Sequence, residues 1–186
     1  MTDPDLQRPA ATRSETERLA ALRLAAAGVP DPEIPVLTIA DLGILRDVRF
    51  AADGLPEVVL TPTYSGCPAT ETIRQDVLAQ TRRVDPQARV LIELAPAWTT
   101  DWISEEGRSK LREYGIAPPQ PTRTGPVAVR LGVRPAVVGA PDQAGPRCPR
   151  CDSADTELIS QFGSTPCKSL RRCRSCAEPF DEFKAL

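Results

Sequence analysis

The chain has 186 residues, room for one medium domain with an appendage or for two small domains. Apolar residues make up 41% and aromatics only 4%, so a core must come from Leu, Val, Ile and Ala. The 23 Lys and Arg nearly balance 25 Asp and Glu, and a net charge of −2 gives no basic footprint for nucleic acid. Histidine is absent, which removes the commonest general base, the usual hydrolase triads, histidine-bound catalytic zinc and Glu-x-x-His di-iron sites. Neither a Walker nor a dinucleotide-binding glycine pattern occurs. No apolar run approaches a membrane span and the polar start lacks a signal-peptide core, so a soluble cytoplasmic protein is expected. In that compartment six cysteines read as metal ligands or reactive thiols rather than disulfides.

Residues 1–13 are polar and read as a mobile tail. From Ser14 to Ala27, Leu19, Leu22 and Ala26 share a helical face, with Ser14 as cap, Glu15 and Glu17 suited to the first turn and Gly28 as the stop. Pro30, Pro32 and Pro35 enclose Asp31 and Glu33 in a stiff extended segment. Those carboxylates are either solvated turn residues or a fixed acidic pair beside the thiol loop that follows. A turn at Asp41–Gly43 leads to a strand with Ile44, Val48 and Phe50 on one face, and Asp53-Gly54 predicts an antiparallel return over Glu57–Thr61.

The stretch Thr61-Pro62-Thr63-Tyr64-Ser65-Gly66-Cys67-Pro68 joins that strand to a helix. Proline suits the first helical position, which makes Cys67 the expected N-cap and sets its thiol at the positive end of a helix dipole, where a thiolate is favoured. Local chemistry leaves a nucleophile, a metal ligand and a small buried thiol open; the missing histidine base weakens the first. The helix is expected over Pro68–Val84 with Ala69, Ile73, Val77 and Val84 inward, and a strand over Ala88–Leu94 alternates Val90, Ile92 and Leu94. Trp98 and Trp102 read as packing at a core edge, a partner surface being the alternative. Ser104-Glu105-Glu106 opens a last helix that Gly115 closes. Seven prolines between Pro118 and Pro146 mark a linker, in which Val127–Leu131 alternates as a short edge strand. The expected organisation is a tail at 1–13, an α+β domain at 14–117, a Pro-rich linker at 118–145 and a cysteine-rich domain at 146–186.

In that last segment Cys148-x2-Cys151 and Cys173-x2-Cys176 stand twenty-one residues apart. Two such knuckles complete a tetrahedron around zinc, and the segment is too small to fold without it. Redox pairs and an iron-sulfur site are the rival readings. Thr156–Phe162 and Lys168–Arg172 supply ribbon strands, and Asp152 tolerates the left-handed turn after the first knuckle. Cys167 is surplus. Pro166 keeps it out of a regular strand, and Lys168, Arg171 and Arg172 are expected to favour its thiolate, making it either an additional metal-handling sulfur or a structural thiol.

Asp31-Pro32-Glu33-Ile34-Pro35, Asp41-Leu42-Gly43, Ser65-Gly66-Cys67-Pro68, the tryptophan segment and Ser104-Glu105-Glu106 together resemble the small domain of cytosolic iron-sulfur assembly factors, SufT-like proteins included, over about residues 15–117. With Phe162-Gly163-Ser164-Thr165, Cys167-Lys168 and Glu178-Pro179-Phe180 added, the whole resembles the PaaD family of accessory subunits encoded with the phenylacetyl-CoA epoxidase. The resemblance implies a two-layer α+β domain, with helices on a short, mostly antiparallel sheet, followed by a four-cysteine zinc ribbon. It implies a non-catalytic role in aerobic phenylacetate degradation, maturing metal or iron-sulfur centres of oxygenase or reductase subunits. Cys67 would be the transfer ligand for iron or a transient cluster, its loop shaped by Asp31, Glu33, Ser65 and Gly66, while Cys148, Cys151, Cys173 and Cys176 hold structural zinc. One thiolate cannot hold a cluster, so a site shared across a homodimer or with the client is expected. The alternative is a zinc-stabilised structural adaptor without cluster transfer. Pro166, where related tails often carry alanine, and Ala185-Leu186, where some carry another cysteine, depart from the pattern.

Overall fold

Ser14 opens the first helix with a reciprocal capping box. Its hydroxyl accepts the Glu17 amide at 3.3 Å while the Glu17 carboxylate accepts the Ser14 amide at 2.8 Å. The computed structural model describes residues 14–120 and 145–184, so the tail at 1–13 and the Val127–Leu131 strand lie outside the described residues. Helix α1 (Glu15–Ala27) buries Leu22 and Ala26 completely. Beyond it, Val29, Ile34, Leu37, Ile39 and Leu42 are buried as well, so the proline-rich stretch is part of the core and not a solvated connection.

Strands β1 (Leu45–Phe50) and β2 (Pro56–Leu60) pair antiparallel around Asp53-Gly54, with Gly54 at φ +77°. A bulge between Leu45 and Asp47 breaks the expected alternation: Ile44 and Leu45 are both buried, as is Val48, while Phe50 is only half-buried, with the Arg18 guanidinium over its ring. Helix α2 (Ala69–Arg82) then crosses to β3 (Arg89–Ile92), which pairs parallel with β2. This three-stranded sheet is therefore mixed, in the order β1-β2-β3, with α1 and α2 against it. Leu94 lies beyond β3 and is exposed.

A 3₁₀ turn at Thr100–Trp102 leads to α3 (Glu105–Tyr114), whose cap Ser104 accepts the Gly107 amide at 2.9 Å and which Gly115 ends at φ +91°. Both tryptophans pack within the chain. Trp98 is buried and donates its indole N–H to the Leu42 carbonyl at 2.8 Å, and the Arg46 guanidinium lies 3.4 Å from the Trp102 ring centre. Gly43 sits at φ +66°, and a Cβ there would come within 2.5 Å of the Trp102 carbonyl oxygen, so the turn accepts only glycine.

The remaining strands are β4 (Ile116–Ala117), β5 (Thr156–Ser160), β6 (Lys168–Cys173) and β7 (Pro179–Phe183), ordered β4-β7-β6-β5. β4 pairs parallel with β7; the other two pairings are antiparallel. This sheet draws its strands from both lobes, and β7 was not expected from the sequence. Successive strand residues point to opposite faces. Phe180 thus joins Ala117, Cys148 and Cys173, whereas Phe183 enters the main core and lies 6.2 Å from Trp98, ring to ring. Among the described residues no helix is long and apolar enough to cross a membrane.

Asp41 ties the loop before β1 to α3. Its buried carboxylate accepts the Thr38 amide at 2.8 Å, the Thr38 hydroxyl at 2.9 Å and the Lys110 ammonium at 3.0 Å. Burial opposes the charge, but the Thr38 amide, Lys110 and the Thr38 hydroxyl outweigh it and hold the carboxyl below its ordinary range. Asp41→Ala should cost about 2–3 kcal/mol at pH 7, read as a lower urea midpoint. Because the folded value lies below the unfolded one of about 3.9, that difference is complete above it and shrinks as pH falls through the folded value.

Candidate metal centre and thiol cavity

Two tight turns aim the ribbon cysteines at one point. In the first, the Asp152 amide donates to the Cys148 carbonyl at 2.9 Å and Asp152 adopts φ +60°, the left-handed conformation expected of it; in the second, Ala177 takes up the same conformation at φ +62°. The Sγ atoms of Cys148 and Cys176 lie 3.8 Å apart, those of Cys151 and Cys173 3.6 Å apart, and all four fall within 4.8 Å of one another. A tetrahedral metal with sulfurs at about 2.3 Å requires S···S edges of about 3.8 Å, whereas a disulfide needs about 2.05 Å. All six cysteines are free thiols, and this donor set fits a four-sulfur metal centre.

Without a cation the sulfurs compete. The Cys176 amide, helped by the Cys151 and Cys176 thiols, brings Cys173 down to about 6 against its desolvation. The Ser153 amide favours the Cys151 thiolate, but the Cys173 sulfur, desolvation and the two remaining thiols outweigh it and push Cys151 up to about 12. A divalent ion removes this conflict by neutralising the thiolates together.

The other thiol site is built from the strand-to-helix loop. Thr61 continues from β2 through an amide bond to the Ile44 carbonyl at 2.9 Å, and Ser65 and Gly66 sit exposed at the tip. The regular helix begins at Ala69, and the Cys67 thiol itself makes no capping bond among the described residues. Pro68 has the helical φ −65° and ψ −26° expected of a first helical residue, and the Cys67 carbonyl before it accepts the first-turn amide, from Thr70 at 3.2 Å. The thiol is half-buried against the core.

Facing it, the segment at 30–38 is folded, not extended. The buried Asp31 carboxylate accepts its own downstream amides, Glu33 at 2.9 Å and Ile34 at 2.7 Å, while the Asp31 amide donates to the Leu37 carbonyl. This local turn replaces the extended geometry that three prolines suggest. Desolvation raises the Asp31 pKa against both amides and against Lys168.

Asp31, Glu33, Cys67, Thr70, Cys167 and Phe183 are among the walls of a cavity of about 20 Å³, the size of one water. Cys167 is buried there, its sulfur 3.0 Å from the Thr165 hydroxyl and 3.8 Å from Glu33 Oε2. The expectation that neighbouring cations favour its thiolate fails: Lys168 is bonded to Asp181 at 3.1 Å and Arg171 to Glu182. Desolvation pushes the Cys167 thiol up, with Glu33 and Asp31 adding to it and Thr165 and Lys168 unable to offset them.

The structure thus brings Cys67, Asp31 and Glu33 together with Cys167, leaves Ser65 and Gly66 on the outer turn, and gathers the four remaining cysteines elsewhere. Sequence reasoning missed Thr70 and Phe183. Thr70 lies one turn before Ile73, on the inward side of α2, and carried a readable signal; Phe183 carried none without knowledge of β7.

Family models match two segments: that of "Iron-sulfur cluster assembly protein" covers residues 19–93, and that of "PaaD zinc beta ribbon domain" covers residues 134–184. The chain is 48% identical over 162 residues to an Escherichia coli (strain K12) protein named as the D component of a "Putative 1,2-phenylacetyl-CoA epoxidase", covering 85% of this chain and 87% of that one. It is 40% identical over 85 residues to an "Fe-S protein maturation auxiliary factor" of Porphyromonas gingivalis, covering 45% of this chain and 80% of that one. A crystal structure of DUF59, a domain of unknown function from Bacillus anthracis, matches with a TM-score of 0.46 at 24% identity, covering 52% of this chain and 92% of that one.

Because β7 spans both cores, losing metal from the four cysteines should disturb more than the ribbon. A strong chelator at neutral pH is expected to red-shift Trp98 fluorescence and to expose the β6 and β7 amides to hydrogen exchange, with β1 and β2 protected.

Proposed function

The chain belongs to the PaaD family of phenylacetyl-CoA epoxidase components, and from that premise we propose that it is a maturation factor of this multicomponent oxygenase. It acts in the cytoplasm during aerobic phenylacetate degradation, loading iron or an iron-sulfur centre into oxygenase or reductase subunits, and is not itself a catalyst. One observation carries the reading: the Cys67 thiol opens on a cavity whose other polar walls include Asp31, Glu33 and Cys167, donors suited to a metal, within a segment matched by the iron-sulfur assembly family. Cys67 is the ligand that receives and releases the cargo. Asp31 shapes the acidic turn opposite it through its two amide bonds, Glu33 brings a second carboxylate to the cavity beside Cys167, and the exposed Ser65-Gly66 turn lets a client approach.

The ribbon holds structural zinc. Its four sulfurs close the coordination sphere and leave no open position for chemistry. β5 is the outer strand of its sheet, and Leu158, Ile159 and Phe162 are exposed along and just beyond it, a surface for docking protein clients. A purely structural adaptor would rest on this surface alone, since Trp98 and Trp102 are occupied by packing inside the chain.

Cys67→Ser should fold normally, keep its ribbon metal and fail to support epoxidase activity in cells lacking the native chain, with the loss reaching at least tenfold. Full epoxidase activity in that strain, alongside co-purification with the oxygenase components, would leave only the adaptor role.

A further inference from the structure

The surplus sulfur of the ribbon and the loop thiol of the N-terminal lobe line the same cavity, although 100 positions separate Cys67 from Cys167. Cys167 is held there by its backbone: its carbonyl accepts the Lys184 amide at 2.9 Å, next to β7. Its sulfur stands 3.8 Å from Glu33 Oε2, close to the roughly 3.5 Å between a sulfur and an oxygen that share a tetrahedral ion. Thr70 lines the cavity too, and its Oγ is buried with no hydrogen-bond partner among the described residues.

We propose that Cys67, Cys167 and Glu33 form a second metal site, assembled between the two lobes, that holds one divalent cation of borderline softness. This deepens the maturation reading, on which it rests, by making the cargo a single ion. The cavity has room for one water-sized occupant, which matches a single ion. Two sulfurs and an oxygen suit Fe2+ or Zn2+ better than the hard Mg2+ or Ca2+.

Binding releases one proton from each thiol to solvent. The ion's two positive charges offset the two thiolates, and the Glu33 carboxylate leaves the site with one negative charge, near the buried Lys168 ammonium. Among the described residues the four ribbon cysteines are the set already gathered at coordination distance. Cys67 must therefore move inward as the ion enters, and the exposed Ser65-Gly66 turn, closed by the Cys67 amide to the Tyr64 carbonyl at 3.2 Å, supplies that movement. Exit follows the reverse path, through the side on which a client can reach the loop.

Co2+ is the probe, because its sulfur-to-metal charge-transfer band counts thiolates. Anaerobic chain with one zinc in the ribbon should take up one further equivalent of Co2+ with the band intensity of two thiolates and no loss of zinc. The intensity should halve in Cys167→Ser and in Cys67→Ser, and Glu33→Gln should weaken binding about 10–100-fold. The near-UV signal of Trp98 verifies folding of each variant, and the wild-type intensity tests the proposal even where a variant misfolds. A one-thiolate band in the wild type, no cobalt beyond the zinc, or an unchanged band in folded Cys167→Ser overturns the two-sulfur site. If such a failure accompanies lost epoxidase maturation in Cys67→Ser, the maturation reading stands alone. A two-thiolate band with full epoxidase activity in Cys67→Ser retains the site and removes that reading.

Discussion

The parallel pairing of β4 with β7 is the constraint on which the rest of the molecule depends. It is only two residues long in β4, yet it fastens a cysteine-rich ribbon to a helical lobe and fixes which faces of the ribbon look inward. Strand alternation does the rest. Ile116 and Phe183 enter one core, and Ala117 and Phe180 enter the other, so each of the two paired strands carries side chains for both. The ribbon is small, and a metal held by its four gathered sulfurs would contribute to its folding. Order in the knuckles and order in the wall of the thiol cavity are therefore one property of the molecule.

The charges follow the same plan. Around the cavity the carboxylates of Asp31 and Glu33 meet thiols, with Lys168 and its partner Asp181 set behind them. Asp31 Oδ1 accepts two backbone amides, which holds the turn in shape, while Glu33 turns its carboxylate toward Cys167. The cavity is walled by acids and thiols, and the chain has no histidine to carry protons at neutral pH.

Local signals were legible in the sequence, and long-range ones were not. Ser14 with Glu17, Ser104, Gly115 and Asp53-Gly54 each specify a cap or a turn through contacts a few residues away, and the structure has them. The two C-x2-C knuckles were equally plain because their spacing is their geometry. The bulge at Leu45–Asp47 was hidden because it depends on the partner strand, and the parallel placement of β3 because pairing direction has no local code. The turn at Cys67-Pro68 was legible too: Pro68 has helical dihedrals and the Cys67 carbonyl accepts the first-turn amide. Cys167 misled for another reason. Lys168 and Arg171 pair with Asp181 and Glu182, while burial raises the pKa of the Cys167 thiol, helped by acids from a segment more than a hundred residues earlier.

That distance has a consequence in time. Glu33 and Cys167 are 134 positions apart. A ribosome adds about 5–20 residues per second, so the acidic turn and the Cys67 loop emerge on the order of ten seconds before the sulfur that completes their cavity. Until then the loop thiol has only the walls that the N-terminal lobe supplies. The wall that Cys167 contributes is therefore the last part of the cavity to be made, an order written into the chain's connectivity.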